Sequence, residues 1–150
     1  MKRKIVLASG VFDLLHLGHV RFLEEAKKAG GENAWLVVII ARDDTVEMLK
    51  GSKPVMPEDQ RRALVEALKV VDEAVLGFKG LDIISAIKKI KPDIVAVGHD
   101  QDYIADKVEQ AIRESNLNVK IVRIGRFGQK ELTSSSRIKR KIIEAYTKRN

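Results

Sequence analysis

Short apolar runs alternate with amphipathic helical patterns along this chain, and this alternation constrains the fold more than any other feature. Runs rich in valine, isoleucine and leucine predict buried strands at residues 5–8, 36–40, 70–76, 94–97 and 119–124. Between them, apolar residues recur every three or four positions, the spacing of a helix with one buried face. Strands that alternate with helices form parallel sheets covered on both faces. The 150 residues therefore predict a single α/β domain, 1–150, with a five-stranded parallel sheet and helices on both faces.

The composition excludes several classes of site. The chain has no cysteine, which excludes a disulfide scaffold, a thiolate zinc site, an iron–sulfur cluster and a cysteine nucleophile. Its longest apolar run, residues 34–41, is far shorter than the roughly 20 residues that cross a bilayer. Residues 5–8 are too short for the apolar part of a signal peptide. We therefore expect a soluble, cytoplasmic protein without a membrane partner.

The net charge of +7 is concentrated at the C-terminal end, where six basic residues from Arg137 onward face a single acid, Glu144. Ile138, Ile142 and Tyr146 are spaced four apart, which predicts a helix with one stripe facing the core. The basic side of this helix fits a solvated surface, a phosphate site at its start or a nucleic-acid surface. Nucleic-acid surfaces usually add aromatic platforms, and this helix offers only Tyr146, so we do not expect a nucleic-acid partner.

Polar segments, three of which contain glycine, follow four of the predicted strands. They occupy residues 9–13, 42–44, 98–101 and 125–128. In open parallel sheets, ligands bind beyond the carboxyl ends of the strands. These segments are therefore the expected ligand site.

Two histidines, His16 and His19, stand one helical turn apart with Gly18 between them. The free N–H groups of a first helical turn favour anions, so two imidazoles there predict a phosphate site. Two other interpretations stay open. The histidines can be surface residues at a helix start, or they can bind a metal together with His99 or Asp100, since imidazole and carboxylate suit transition metals.

The full string SGVFDLLHLGH, residues 9–19, resembles the signature of the cytidylyltransferase-like nucleotidyltransferases, G-x-F-D-x-x-H-x-G-H. It matches every fixed position and follows a predicted strand. The resemblance implies a Rossmann-like domain that transfers a nucleotidyl group from a nucleoside triphosphate. The segment LTSSSRI, residues 132–138, looks like a variant of the family element that opens the last helix over the phosphates, and a plain helix cap is its alternative.

The resemblance also implies roles for residues along the chain. It places Lys50 and Lys53 on a mobile loop against the triphosphate, Arg61 at the next helix start, and residues 98–101 at the nucleobase and ribose. The catalytic residues that it implies are His16, His19, Lys50, Lys53 and Arg61. The nucleotide-binding residues that it implies are Gly10, Val11, Phe12, His16, Leu17, Gly18, His19, Gly98, Asp100, Arg126, Phe127, Thr133, Ser134 and Ser135.

The chemistry of such a transfer explains these residue types. A phosphate monoester acceptor is already ionised near pH 7, since its second pKa is about 6, so no strong base or covalent nucleophile is needed. The site must supply position and positive charge. Histidine, lysine and arginine side chains and a divalent cation would supply that charge, Mg²⁺ being expected and Mn²⁺ or Co²⁺ the alternatives. Asp13 either orients the motif or lies near this cation.

Within the family, the chain looks most like the small archaeal FAD synthases, which transfer AMP from ATP to FMN. The shared features are the short length and the segments at residues 41–46, 50–54, 57–62, 91–94 and 98–101. A homodimer is implied by the same resemblance. Phe127, Tyr103 and Phe78 are the candidate surfaces for a flavin ring. The alternatives are a CTP-dependent glycerol-3-phosphate cytidylyltransferase and a non-catalytic module that binds nucleotides or nucleic acid.

Overall fold

The computed structural model describes residues 2–80, 82–125 and 134–147. Strands and helices alternate from the N-terminus, as the apolar periodicity predicts. The strands are β1 (Ile5–Gly10), β2 (Trp35–Ile40), β3 (Glu73–Leu76), β4 (Ile94–Gly98) and β5 (Lys120–Ile124). The helices are α1 (Leu17–Ala29), α2 (Asp43–Lys50), α3 (Glu58–Glu66), α4 (Ile83–Ile90), α5 (Asp102–Ser115) and α6 (Ser135–Thr147).

The five strands form one parallel sheet in the order β3-β2-β1-β4-β5. This is the predicted fold class, with β3 and β5 shorter than their predicted runs. From β1 the chain builds outward to β3, and it then returns to add β4 and β5 on the other side of β1. The strand order therefore reverses between β1 and β4, and ligands in such sheets bind at the carboxyl ends beside that reversal.

Two separate cores sandwich the sheet, because successive side chains of a strand point to opposite faces. Val6 joins the core that contains Leu23 of α1. Leu7 joins the opposite core, which contains Ile87 of α4 and Val108 of α5. Helices on both faces leave the carboxyl edge of the sheet open, where the candidate site lies.

Helix α2 was not predicted: residues 42–44 were expected as a polar segment after a strand, and Lys50 and Lys53 as part of a mobile loop. Asp43 and Asp44 stand in its first turn, where carboxylates favour the positive end of a helix. Thr45 and Val46 are the buried residues of this helix. Lys50 is consequently the last residue of a helix rather than part of a loop.

The predicted core stripe of the last helix is wrong. Ile142 and Tyr146 are 49% and 69% exposed, and none of the described residues of α6 is buried. Helical periodicity identifies an apolar side of a helix but does not say which surface covers it. Within the described residues, no helix is long and apolar enough to cross a membrane.

Candidate functional site

A cleft of about 810 Å³ lies at the carboxyl edge of the sheet. Residues at or just after the end of every strand line it, from Gly10 at the end of β1 to Gly125 after β5, and α6 contributes its first turn. The predicted residues that the cleft brings together are Gly10, Val11, Phe12, Asp13, His16, Gly18, His19, Lys50, Lys53, Gly98, Asp100, Ser134 and Ser135. Residues separated by more than a hundred positions thus meet at one edge.

Backbone strain shapes the loop between β1 and α1. Phe12 and Leu14 both adopt left-handed conformations, with φ of 54° and 53°, a region that costs non-glycine residues free energy. This conformation lays the Phe12 ring over Gly10, where an added Cβ would lie 2.8 Å from the ring's Cε2 atom. The same ring lies 5.4 Å from that of His19. The glycine and the strain therefore fix the ring against which His19 packs.

His16 and His19 stack on each other, with ring centroids 3.8 Å apart. The backbone N–H of His16 donates to Nδ1 of His19 at 3.2 Å, so the proton of the neutral His19 ring is carried by Nε2. Burial, His16 and Lys50 lower the pKa of His19 to about 4, although Asp13 opposes the shift. Burial also lowers the pKa of His16. Both rings are thus held toward the neutral form, in which His19 offers one N–H to a ligand.

Asp13 is an organising residue within the cleft wall. Its carboxylate is buried, at 5% exposed, and accepts the backbone N–H groups of Val55 at 2.7 Å and Met56 at 2.9 Å. Lys139 of α6 lies 3.5 Å away. Burial alone would raise the pKa of Asp13, but the two amide bonds and Lys139 outweigh it and lower that pKa. Of the two roles left open for Asp13, the contacts support orientation of the surrounding loops.

Arg61 does not line the cleft, although the resemblance makes it catalytic. It is completely buried and forms an ion pair with Asp43 at 2.6 Å. Its other hydrogen bonds go to the carbonyl oxygens of Met56, Val11 and Ala41. Arg61 thus ties together the ends of β1 and β2 and the segment before α3, so its geometry is that of a positioning residue.

The first turns of α2 and α3 cap each other. The Glu58 carboxylate accepts the N–H of Asp43 at 2.9 Å, and the Asp43 carboxylate accepts the N–H of Glu58 at 3.3 Å. Arg42 adds an ion pair to Glu58 and donates to the carbonyl oxygen of Gly77. This network anchors the start of α2 and thereby the helix that carries Lys50 into the cleft.

Gln101 lies in the predicted ligand segment 98–101 without having been given a role of its own, and Lys139 was missed as a site residue. The Gln101 side chain accepts the N–H of Gly98 at 2.8 Å and donates to the carbonyl oxygen of Ser9 at 2.9 Å. It therefore bridges β1 and β4 where the strand order reverses. Lys139 lines the cleft from the second turn of α6. Its position four residues after Ser135 was the available signal, because that spacing puts both on one side of a helix.

The remaining predicted site residues and the predicted metal site are not found in the described cleft. Leu17 is 57% exposed and does not line the cleft. Arg126, Phe127 and Thr133 lie outside the described residues. Among the residues that are described, no group of three or more histidine, aspartate or glutamate side chains is arranged to hold a metal. The metal site formed by the histidines with His99 or Asp100 is therefore not supported.

Three comparisons relate this geometry to known proteins. The family model Cytidylyltransferase-like matches residues 7–141. FAD synthases from Aciduliprofundum boonei and Ferroglobus placidus are 47% and 48% identical to the chain, over 93% of its length and over 90% and 88% of theirs. The crystal structure of the lipopolysaccharide core biosynthesis protein from Thermoplasma volcanium GSS1 superposes with a TM-score of 0.76 at 42% identity, covering 85% of this chain and 100% of that one.

Proposed function

The chain belongs to the cytidylyltransferase-like family, and on that premise we propose that it transfers AMP from ATP to FMN, forming FAD and pyrophosphate. Its relatives at 47% and 48% identity over nearly the whole chain are named FAD synthase. One structural observation carries the proposal. A single cleft holds the stacked pair His16 and His19, the ammonium groups of Lys50 and Lys53, and the first turn of α6.

The reaction joins the two phosphates directly. An oxygen of the FMN phosphate attacks the α-phosphorus of ATP and forms a new P–O bond, while the bond from the α-phosphorus to the oxygen that bridges it to the β-phosphate breaks. The electron pair leaves with pyrophosphate. The attacking phosphate is ionised near pH 7 because its second pKa is about 6. The protein therefore needs to align the groups and stabilise the charge that develops.

The cleft residues have the chemistry for those tasks. Nε2–H of His19 and the ring of His16 would donate to oxygens of the transferring phosphate, and neutral donors in a preorganised site stabilise such charge well. Lys50 and Lys53 would neutralise the departing pyrophosphate. Gly98 and Asp100, with Arg126, Phe127 and Thr133 beyond the described residues, remain proposed nucleotide contacts. Arg61 enters the proposal as a positioning residue.

The divalent cation fits this cleft as a partner of the substrate. The described residues provide no carboxylate and imidazole cage, and both oxygens of Asp13 already accept amide hydrogen bonds. We therefore propose that ATP phosphate oxygens hold the ion, with Mg²⁺ first and Mn²⁺ or Co²⁺ as alternatives, since hard oxygen ligands suit such ions. When bound, the ion would offset negative charge on the triphosphate.

The alternative reaction uses CTP and glycerol 3-phosphate. It shares the motif and the chemistry, but its acceptor has no ring. A partly exposed aromatic side chain, Phe78, lines the cleft, and a small polar acceptor would have no ring to stack on it. A module that only binds nucleotides or nucleic acid would not need the histidine pair. These observations favour the flavin acceptor.

We also propose that residues 1–150 act as one nucleotidyltransferase domain, and that the protein is a homodimer in the cytoplasm, where ATP is available. The dimer rests on the family resemblance alone. Sedimentation of the purified protein tests it. A species of 16.8 kDa would contradict the dimer and leave the reaction untouched.

A paired assay with Mg²⁺ tests the reaction. One mixture holds ATP and FMN, the other CTP and glycerol 3-phosphate, and chromatography separates the products. FAD in the first alone is expected, whereas CDP-glycerol in the second alone would overturn the proposal. His19→Ala should lower kcat by about 10²- to 10³-fold. Arg21→Ala, on the exposed side of the same helix with 54% of its side chain exposed, is the control and should leave kcat unchanged.

A further inference from the structure

The cleft has two flanks, which the strand order separates. The loop after β1 stands in the middle and carries the histidine pair, because β1 is the central strand. One flank is formed by the ends of β4 and β5, with Gly98, Asp100 and Gly125. The other is formed by the end of β2 and the segment between β3 and α4. Two substrates that react at the centre can therefore each occupy one flank.

The β2–β3 flank has an apolar floor and an aromatic side chain, and Arg42 and Asp82 also line it. Ile39, Ile83 and Ala86 line it from below, and each is at least 93% buried in the core under α4 and α5. Phe78 also lines this flank and is 42% exposed. Gly80, two residues further on, presents no side chain, and nothing lies within 4 Å of the position a Cβ would take. The flank thus offers an aromatic surface with open space beside it.

We propose that Phe78 is the platform for the isoalloxazine ring of FMN and that the β2–β3 flank is the acceptor subsite. The inference rests on the proposed function. A partly exposed phenyl ring gains by stacking on a planar heteroaromatic ring, since offset stacking adds to the free energy of apolar burial. Exposed apolar surface in a concave site is typical of a ligand groove.

The geometry of phosphoryl transfer assigns this flank to the acceptor rather than to the donor. The attacking and leaving oxygens lie roughly in line on opposite sides of the phosphorus. The proposed function places nucleotide contacts at Gly98 and Asp100, which lie on the opposite flank. With the ATP phosphates directed toward the central histidines and lysines, the attacking phosphate must approach from the side of Phe78.

Lys89 of α4 supports the Phe78 ring. Its ammonium lies 5.7 Å from the ring centroid, within the range of a cation–π contact. Lys89 does not itself line the cleft. It therefore acts as a positioning residue that holds the ring, and Lys89→Met should weaken FMN binding less than removal of the ring does.

Steady-state kinetics with varied FMN and varied ATP provide the test. Phe78→Ala should raise the KM for FMN about 10- to 100-fold, the range expected for loss of one stacked ring, and leave the KM for ATP within about twofold. Phe78→Tyr keeps the ring and should restore the KM for FMN. If the alanine variant folds poorly, Phe78→Leu keeps most of the volume without the ring and should still raise the KM.

Direct binding gives a second readout that needs no turnover. In Phe78→Trp, added FMN should quench the new indole fluorescence. Trp35, the single native tryptophan, is the first residue of β2 and lies at the amino end of the strands, away from the cleft. The unaltered protein should therefore show little quenching.

The outcomes separate the two proposals. Wild-type protein that forms no FAD would contradict the proposed function. Wild-type protein that forms FAD, together with an unchanged KM for FMN in Phe78→Ala and Phe78→Leu, would overturn the platform. A rise in the KM for ATP alone would assign the flank to adenine and overturn it as well.

Discussion

At the scale of single residues, the surroundings of His19 explain why its imidazole is held in the neutral form. Its Nδ1 accepts the N–H of His16, and burial is the main cause that lowers its pKa to about 4. The unfolded chain would protonate His19 near pH 6.5, but the folded chain resists protonation down to about pH 4. The unfolded state therefore binds more protons in this window, and stability falls as the pH falls through it.

Thermal melts from pH 7.5 to pH 4 measure this effect. The Tm of the wild-type protein should decline from about pH 6.5 downward, and His19→Gln, which does not titrate, should show a shallower decline. The lowered pKa of Asp13 acts in a separate window, because its contribution is present above about pH 3.8 and is lost below it. Parallel curves for the wild-type protein and the glutamine variant would contradict the assignment to His19.

Gly10 links the strained loop to the histidine pair. In Gly10→Ala the new Cβ would lie 2.8 Å from the Phe12 ring, so the ring must move, and with it the surface that His19 packs against. We expect kcat/KM to fall about 10- to 100-fold, the usual cost of misplacing reacting groups by about 1 Å.

The matched control is Gly31→Ala, at the end of α1. Gly31 has φ of +89° and open space around a built Cβ, so alanine there is strained without meeting a neighbour. It should lower the Tm by about 2–4 °C, equivalent to about 1 kcal/mol, without a change in kcat/KM. Equal losses of activity in the two variants would show that Gly10 acts through stability alone.

The sequence patterns predicted which residues line the cleft more accurately than they predicted the contacts of each residue. The spacing of His16 and His19 and the family motif are local, and the cleft contains both. The role of Arg61 depends on carbonyl groups from three distant segments, and nothing local in the sequence shows that an arginine will be enclosed by them. The hydrogen bonds that Asp13 accepts from the backbone of Val55 and Met56 could not be predicted for the same reason.

At the scale of elements, Arg61 and its partners hold three segments in one arrangement. Arg61→Met would leave Asp43 without its ion-pair partner and three carbonyl groups without a donor. Breaking one side of a buried pair costs about 3–5 kcal/mol, which corresponds to a fall in Tm of about 10 °C or more. Lysine cannot reproduce the planar fork, so Arg61→Lys should also lose most of this stability.

The kinetic part of this test decides between the two roles of Arg61. At a temperature where Arg61→Lys is folded, a positioning role predicts a reduced kcat with the KM for ATP changed by less than about threefold. A direct contact with the triphosphate predicts the reverse kinetic pattern, with an unchanged kcat and a strongly raised KM for ATP. Melting curves and ATP titrations on the same preparation give both numbers.

Long apolar periods predicted their elements well, whereas the short helix α2 was missed and the predicted packing of α6 was wrong. The sequence shows β2 by a continuous apolar run, Leu-Val-Val-Ile-Ile, and α4 by regularly spaced isoleucines. Both patterns are easily recognised. Helix α2 has eight residues, about two turns, and its charged start reads equally well as a loop. Helix α6 does form, but its apolar side stays exposed, because periodicity predicts conformation and not the packing partner.

At the scale of the whole molecule, the sheet topology brings charged residues that are distant in the sequence into one cleft. Parallel pairing of all five strands brings every strand's carboxyl end to one edge, so the polar segments after the strands meet there. The sequence predicted this edge, because alternating strands and helices imply it. It did not predict how the two flanks of the cleft differ. That difference depends on the strand order and on which side chains remain exposed at each flank.

The lysines that line the cleft predict that ATP binding depends on salt. Lys50, Lys53 and Lys139 line it, and the chain as a whole carries +7, so both local contacts and the overall field attract a triphosphate. Raising NaCl from about 0.05 M to 0.5 M shortens the screening length to a few ångströms. The KM for ATP should therefore rise several-fold across this range.

Two variants separate the local contacts from the overall charge. Lys53→Ala and Lys28→Ala each lower the net charge equally, but Lys28 lies on α1 beside Glu25 and does not line the cleft. If contacts in the cleft dominate, Lys53→Ala raises the KM for ATP at low salt and flattens its salt dependence, whereas Lys28→Ala keeps the wild-type slope. Equal slopes in the two variants would mean that the field of the whole molecule, and not the lysines of the cleft, draws ATP to the site.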